Sequence, residues 1–193
     1  MQHLVKVNEK KEIAVVQATI GFSNGPIWSP EGSQFVVATL AKIPVPGNWT
    51  EDERMSEELI SISKDGTIKR LTHLTDQFQH VDIEGYRWSP DGKKIAFWVF
   101  VESIDDSSSG SDYNLAILDL RSQKITIFCF SGIPGISRLY WSPDGKQILT
   151  REIVDKNPKT NALIYDTVLI NLAKKTMLKV AEATIPLGWM LDP

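Results

Sequence analysis

The sequence predicts an all-β chain assembled from repeated four-stranded units. Near-identical words recur along it: "WSPDGKKIAFWV" at 88–99, "WSPDGKQILT" at 141–150 and a looser "WSPEGSQFVVAT" at 28–39. Between them lie short runs rich in Ile, Val, Phe and Tyr, bounded by Gly, Asp and Ser, with no sustained helical period. The third observation is spacing. The heads of the copies, Trp28, Trp88 and Trp141, stand 60 residues apart (28 to 88) and then 53 (88 to 141). A period near fifty is that of a propeller blade.

These observations predict a partial (open) β-propeller of about three complete four-stranded antiparallel blades plus terminal strands. The chain reads as one segment over 1–193. Residues 1–20 supply the outer strands of a preceding blade, "HLVKV" and "EIAVVQA". Blade one spans 25–72, blade two 86–130 and blade three 138–181. A first strand of a further blade falls at 187–193, where "LGWMLDP" places Trp189 at 48 residues beyond Trp141. In blade two the strands are "YRWS", "KIAFWVFV", "YNLAILDL" and "KITIFCF". Thr50 and Glu53 have capping-box spacing, which admits one short helix in "TEDERMSEEL", 50–59.

The repeated word is a turn. In Ser89-Pro90-Asp91-Gly92, Ser can bond the backbone ahead, Pro presets φ, and Gly accepts the positive φ that closes a type I turn with a bulge. Ser142-Pro143-Asp144-Gly145 repeats it. In the copy at Ser29, Pro30 and Gly32 are kept, but Glu31 replaces Asp and is a poorer local partner for the turn backbone. A catalytic serine needs a base and an orienting acid. The three histidines, His3, His73 and His80, do not recur with the repeat. The motif therefore reads as a structural joint, with Trp28, Trp88 and Trp141 expected in equivalent, mostly buried positions.

Composition excludes several classes. The 193 residues are 42% hydrophobic and 23% charged, with a net charge of −3, so no electrostatic pull toward nucleic acid is expected. Cys129 is the only cysteine, which rules out an internal disulfide and a cysteine-based zinc site. It alternates with Phe128 and Phe130 and reads as a buried, inert thiol. No targeting segment is visible, because Lys and Glu break up "MQHLVKVNEKKEIAVV". The longest apolar run, Ile95 to Val101, is too short to span a bilayer.

"WSPDGK" with an apolar strand behind it, then a strand ending in "DL" or "SKDG" and one ending in "RLT", resembles the PD40, or WD40-like, β-propeller repeat. TolB and the propeller domains of prolyl-oligopeptidase-type peptidases carry that repeat. The resemblance covers nearly the whole chain, and implies blades without implying an activity. It also implies an extracytoplasmic setting if the parent resembles TolB.

No G-x-S-x-G, phosphate loop or H-E-x-x-H pattern is present. The loop "ESIDDSSSGSD" offers Glu102, Asp105, Asp106 and Asp112 as hard oxygen ligands, but matches no regular calcium loop. It reads as a solvated loop. His73 and His80 read as loop histidines. Trp49 lies outside the repeat; a loop Trp of this kind either anchors a partner or packs on its own blade, and the sequence leaves both open. Trp49, Glu51, Asp52, Asp105, Asp106 and Asp112 form the candidate binding face. Loops 42–58 and 102–112 and connector 73–85 carry nets of −3, −4 and −3, predicting one acidic face, suited to a cationic partner, and a more basic face opposite.

The functional expectation is a non-enzymatic, TolB-like interaction scaffold with no cofactor and no metal. Its partner is a protein, the remaining blades of a longer parent, or a second copy meeting open blade edges; no nucleic acid and no membrane span enter. Two alternatives stand beside it. One is the regulatory propeller of a peptidase whose catalytic domain lies outside this chain. The other is a propeller that binds a glycan or small molecule.

Overall fold

The structure is a computed structural model. It describes residues 3–7, 13–17, 25–41, 56–78, 80–102, 113–129 and 138–190. The chain divides into two compact units, 1–84 with 99–111, and 85–98 with 112–193.

In the first unit, β1 (His3–Val7) pairs antiparallel with β2 (Ile13–Gln17). Then β3 (Ile27–Trp28), β4 (Gln34–Ala41), β5 (Ser56–Ser63) and β6 (Ile68–Arg70) form a meander sheet in chain order. A short 3-10 turn, Leu74–Asp76, follows. Strand β7 (His80–Trp88) passes from the first unit into the second, and β8 (Lys94–Glu102) passes back from the second into the first. They pair with β9 (Asn114–Asp119) and β10 (Lys124–Phe128) in a second four-stranded sheet. The third sheet is β11 (Tyr140–Trp141), β12 (Gln147–Lys156), β13 (Leu163–Asn171) and β14 (Thr176–Ala181). All three are antiparallel meanders and none closes on itself. No α-helix occurs among the described residues.

Burial explains the strand sequences. Ile95–Val99 and Leu115–Leu118 are buried without a break, so these strands are covered on both faces and read as continuous apolar runs. In β14, by contrast, Leu178 and Val180 stand exposed on an outermost strand. The core of the second unit joins two sheets. Ala96, Trp98, Leu115, Ile117 and Phe128 from one meet Leu139, Trp141, Ile148 and Ile170 from the other.

Several expectations are corrected. Residues 56–59, the end of the admitted helix, are strand: as the start of β5 they pair with β4, and Ser56–Leu59 are buried. Connector 73–85 is shorter than expected, because β7 begins at His80, and His80 is a strand residue stacked edge-on with Phe100 at 5.8 Å. Residues 187–190 form no strand; a strand needs a ladder partner, and none is present there among the described residues. Cys129 is exposed, not buried. Strand β10 ends at Phe128, whose ring turns into the core, and period two sends the next side chain outward.

Trp28 is the largest departure. Trp88 and Trp141 are buried at 8% exposure each, but Trp28 is 54% exposed. The cause lies in what a blade-heading tryptophan packs against. Trp141 Nε1–H donates to the Arg87 carbonyl at 3.1 Å, on the first strand of the preceding sheet. Trp189 repeats this one sheet later, donating to the Tyr140 carbonyl at 2.9 Å. Among the described residues no strand equivalent to β7 precedes Trp28. Its ring meets Phe35 edge-on at 5.2 Å and otherwise faces outward.

Candidate interaction surface

The turn residues take up the geometry their chemistry suggests. Gly92 N–H donates to the Ser89 carbonyl at 2.9 Å, and Gly145 N–H to the Ser142 carbonyl at 2.9 Å. Both glycines sit at φ 68°. A Cβ on Gly145 would meet nothing within 4 Å, so the positive φ, and not space, selects glycine there. Ser89 Oγ–H donates to Asp91 Oδ1 at 2.7 Å while Oγ accepts from Lys94 N–H at 2.9 Å. Ser142, Asp144 and Gln147 reproduce those bonds at 2.7 and 2.9 Å. The hydroxyl of each serine is thus engaged on both sides. The Ser142 hydroxyl, and then the Lys146 N–H, hold the Asp144 carboxyl below its ordinary range. Asp144→Ala removes the acceptor for both donors and is expected to lower the urea midpoint; no change in midpoint would contradict that role. Glu31 is differently placed, accepting from Ser33 Oγ–H at 2.8 Å.

The candidate binding face cannot be assembled. Trp49, Glu51, Asp52, Asp105, Asp106 and Asp112 all lie outside the described residues. The acidic loop face is corrected in part. Glu57 and Glu58, assigned to loop 42–58, are buried in β5, and Glu84, assigned to connector 73–85, is buried in β7. Glu57 and Glu58 serve two different networks, set by the donors each one meets.

Glu58 faces β6 and the 3-10 turn. Its Oε1 accepts from Arg70 Nη2 at 2.7 Å, Thr75 N–H at 2.7 Å and Thr75 Oγ at 2.7 Å, and its Oε2 accepts from Thr72 Oγ–H. Burial pushes this carboxyl up, but the donors from Thr72, Thr75 and Arg70 outweigh it and hold the pKa below the ordinary value. Arg70 also reaches Asp76 at 3.0 Å. Arg70→Met leaves a buried carboxylate with neutral donors only. Because Arg70 is 37% exposed, the expected loss is about 1–3 kcal/mol, less than for a fully buried pair. Adding Glu58→Gln should recover part of it in a double-mutant cycle.

Glu57 turns the other way, to the open edge of β7. Its Oε2 accepts from Ile83 N–H at 2.9 Å, and Ser56 Oγ accepts from Val81 N–H at 3.1 Å. Two side chains of one sheet thereby cap alternate amides on the edge of the next, which protects an otherwise unpaired edge. Burial pushes Glu57 up to about 7; the Ile83 amide pulls it down, and Asp82 and Glu84 push it further up. Burial, then Asp82, raises Glu84, whose Oε2 has no hydrogen-bond partner among the described residues. Sequence reasoning misses this cap. Its only trace is two consecutive glutamates ahead of an apolar run.

No group of three or more His, Cys, Asp or Glu side chains among the described residues is arranged to hold a metal. No helix among them is long and apolar enough to cross a membrane.

Solved structures superpose on most of the chain. The propeller domain of the trilobed protease from Pyrococcus furiosus aligns over 94% of this chain and 53% of its own, with TM-score 0.57 and 13% identity. The fold is that of a β-propeller segment. A protein described as TolB from Agrobacterium tumefaciens aligns over 95% of this propeller segment and 63% of its own chain, with TM-score 0.51 and 17% identity. These likenesses concern fold. No family model matches. Among curated proteins, a subunit of eukaryotic translation initiation factor 3 from Eremothecium gossypii is 26% identical over 159 residues, 77% of the propeller segment. The segment spans only 20% of that relative's length.

Proposed function

We propose that this chain is a non-enzymatic, PD40-type propeller segment that works as an interaction scaffold inside a larger assembly. The observation that carries the proposal is uncovered apolar surface next to the third sheet. Leu187 and Met190 are 92% and 97% exposed, flanking a Trp189 that is itself tied down, and Ile185 is exposed nearby. Large apolar side chains held out beside an anchored tryptophan suit contact with a further protein surface. A curated relative that is by name one component of a multi-component factor supports such a role. The turn serines, whose hydroxyls are already engaged, support the absence of catalysis.

The test is light scattering of the purified chain. We expect a mass above the 21.7 kDa of one chain, reduced to one chain by Leu187→Glu with Met190→Glu. A wild-type monomer at high concentration that leaves an apolar dye dark would overturn the reading.

A further inference from the structure

The second unit carries a feature opposite in sign to the acidic loop face expected from sequence. In each of its sheets the first and third hairpin turns lie at the same strand ends, as an antiparallel meander requires. They are also bonded to each other: Leu120 N–H donates to the Lys93 carbonyl at 3.0 Å, and Leu172 N–H to the Lys146 carbonyl at 3.2 Å. These four turns, 89–94, 119–124, 142–147 and 171–176, hold seven Lys or Arg against three Asp.

The three aspartates are occupied by the turns themselves. Asp91 and Asp144 accept from Ser89 and Ser142, and Asp119 accepts from the amide and the hydroxyl of Ser122, both at 2.9 Å. The lysines are not comparably engaged. Lys146 approaches Asp144 only at 3.5 Å and is 77% exposed, and no ion pair among the described residues involves Lys94, Lys124 or Lys175. Backbone geometry fixes the rim, since Gln123 and Lys175 hold positive φ of 58° and 54° in equivalent turns.

Between the turns of the two sheets runs a groove of about 430 Å³. Lys94, Lys124, Lys146 and Lys175 line it, with Asp119 as the one carboxylate. Ile117, Phe128 and Leu172 supply apolar lining. We propose that this groove docks a short acidic peptide segment of a partner protein, with an apolar side chain on the floor and Asp or Glu side chains on the lysine rim. The inference rests on the scaffold reading and names the partner for a different surface of it. Charge complementarity favours an anion, and the apolar floor favours a peptide over a bare phosphate. A nucleic acid is disfavoured because the groove's aromatic ring, Phe128, is buried and offers no stacking platform.

The test is fluorescence anisotropy with a labelled twelve-residue peptide of Asp and Glu around one central Leu, titrated with the full chain. Binding is expected, weakened at least tenfold by Lys124→Glu with Lys175→Glu and weakened by added salt. Both lysines are exposed, so unchanged circular dichroism is expected for that variant. Lys156→Glu with Lys159→Glu, on the hairpin at the other end of the third sheet, should leave binding unchanged. So should Leu187→Glu with Met190→Glu, which separates failure here from failure of the scaffold reading. The proposal is overturned if the peptide does not bind, if the groove variant binds it equally, or if the Asn/Gln version binds as well. It is likewise overturned if tripolyphosphate or a twelve-nucleotide single strand competes as strongly as the unlabelled peptide.

Discussion

Trp141→Ala is expected to lower the unfolding free energy by about 3–5 kcal/mol, the usual cost of truncating a buried aromatic. Trp141 is buried among side chains from two sheets, so its removal opens a cavity at their junction and not at the margin of one. Two comparisons sharpen the expectation. Trp141→Phe keeps most of the volume but loses the indole bond to the Arg87 carbonyl, and should cost less, about 1–2 kcal/mol. Trp28→Ala removes a half-exposed ring and should cost under about 1 kcal/mol. Urea unfolding of the three variants measures all of this. Equal losses at Trp28 and Trp141 would contradict the account of the joint.

Stability should fall as pH rises from about 4.5 to about 7, by roughly 3 kcal/mol, because of Glu57. The sign follows from proton binding. The folded chain holds the Glu57 proton up to about 7, whereas the ordinary value is 4.5. Between these values the folded state binds more protons than the unfolded, so raising pH favours unfolding. The contribution is complete below 4.5 and gone above 7. Glu84, also raised, acts in the same direction. Glu58, held below its ordinary value, acts oppositely, but only at pH below that value. Groups facing Glu57 across the strand edge include Asp82 and Glu84, and neither offers a compensating positive charge. Glu57→Gln keeps an acceptor for Ile83 N–H and should flatten the profile. A wild-type profile that is level from pH 5 to pH 7.5 would refute the assignment.

Much of the architecture is legible in the sequence because its signals are local. The Ser-Pro-Asp-Gly word specifies a turn through side chains two to five residues apart, and its recurrence marks the sheets. Burial is less legible wherever it depends on what lies across a gap between sheets. Trp28 heads the same Trp-Ser-Pro word as Trp141 but, among the described residues, has no equivalent strand behind it. Glu57 and Glu58 look like loop carboxylates because nothing nearby in sequence reveals Ile83, Thr72 or Thr75 as their donors. Cys129 looks buried from its flanking phenylalanines, but the end of β10 falls one residue before it. The loop charges predict a more basic face opposite the acidic one, but not the groove in it: its four lysines come from four separate turns, none of them unusual alone.

The tryptophan joint has a direction in time. Trp141 bonds to a carbonyl 54 residues behind it, and Trp189 to one 49 residues behind. Each therefore fastens onto a strand the ribosome has already released, never onto one still to come. A chain emerging from its N-terminus can thus dock Trp141 and then Trp189 on arrival, each on a strand already made. The site for each latch is the first strand of the sheet before it, complete about fifty residues before the latch arrives.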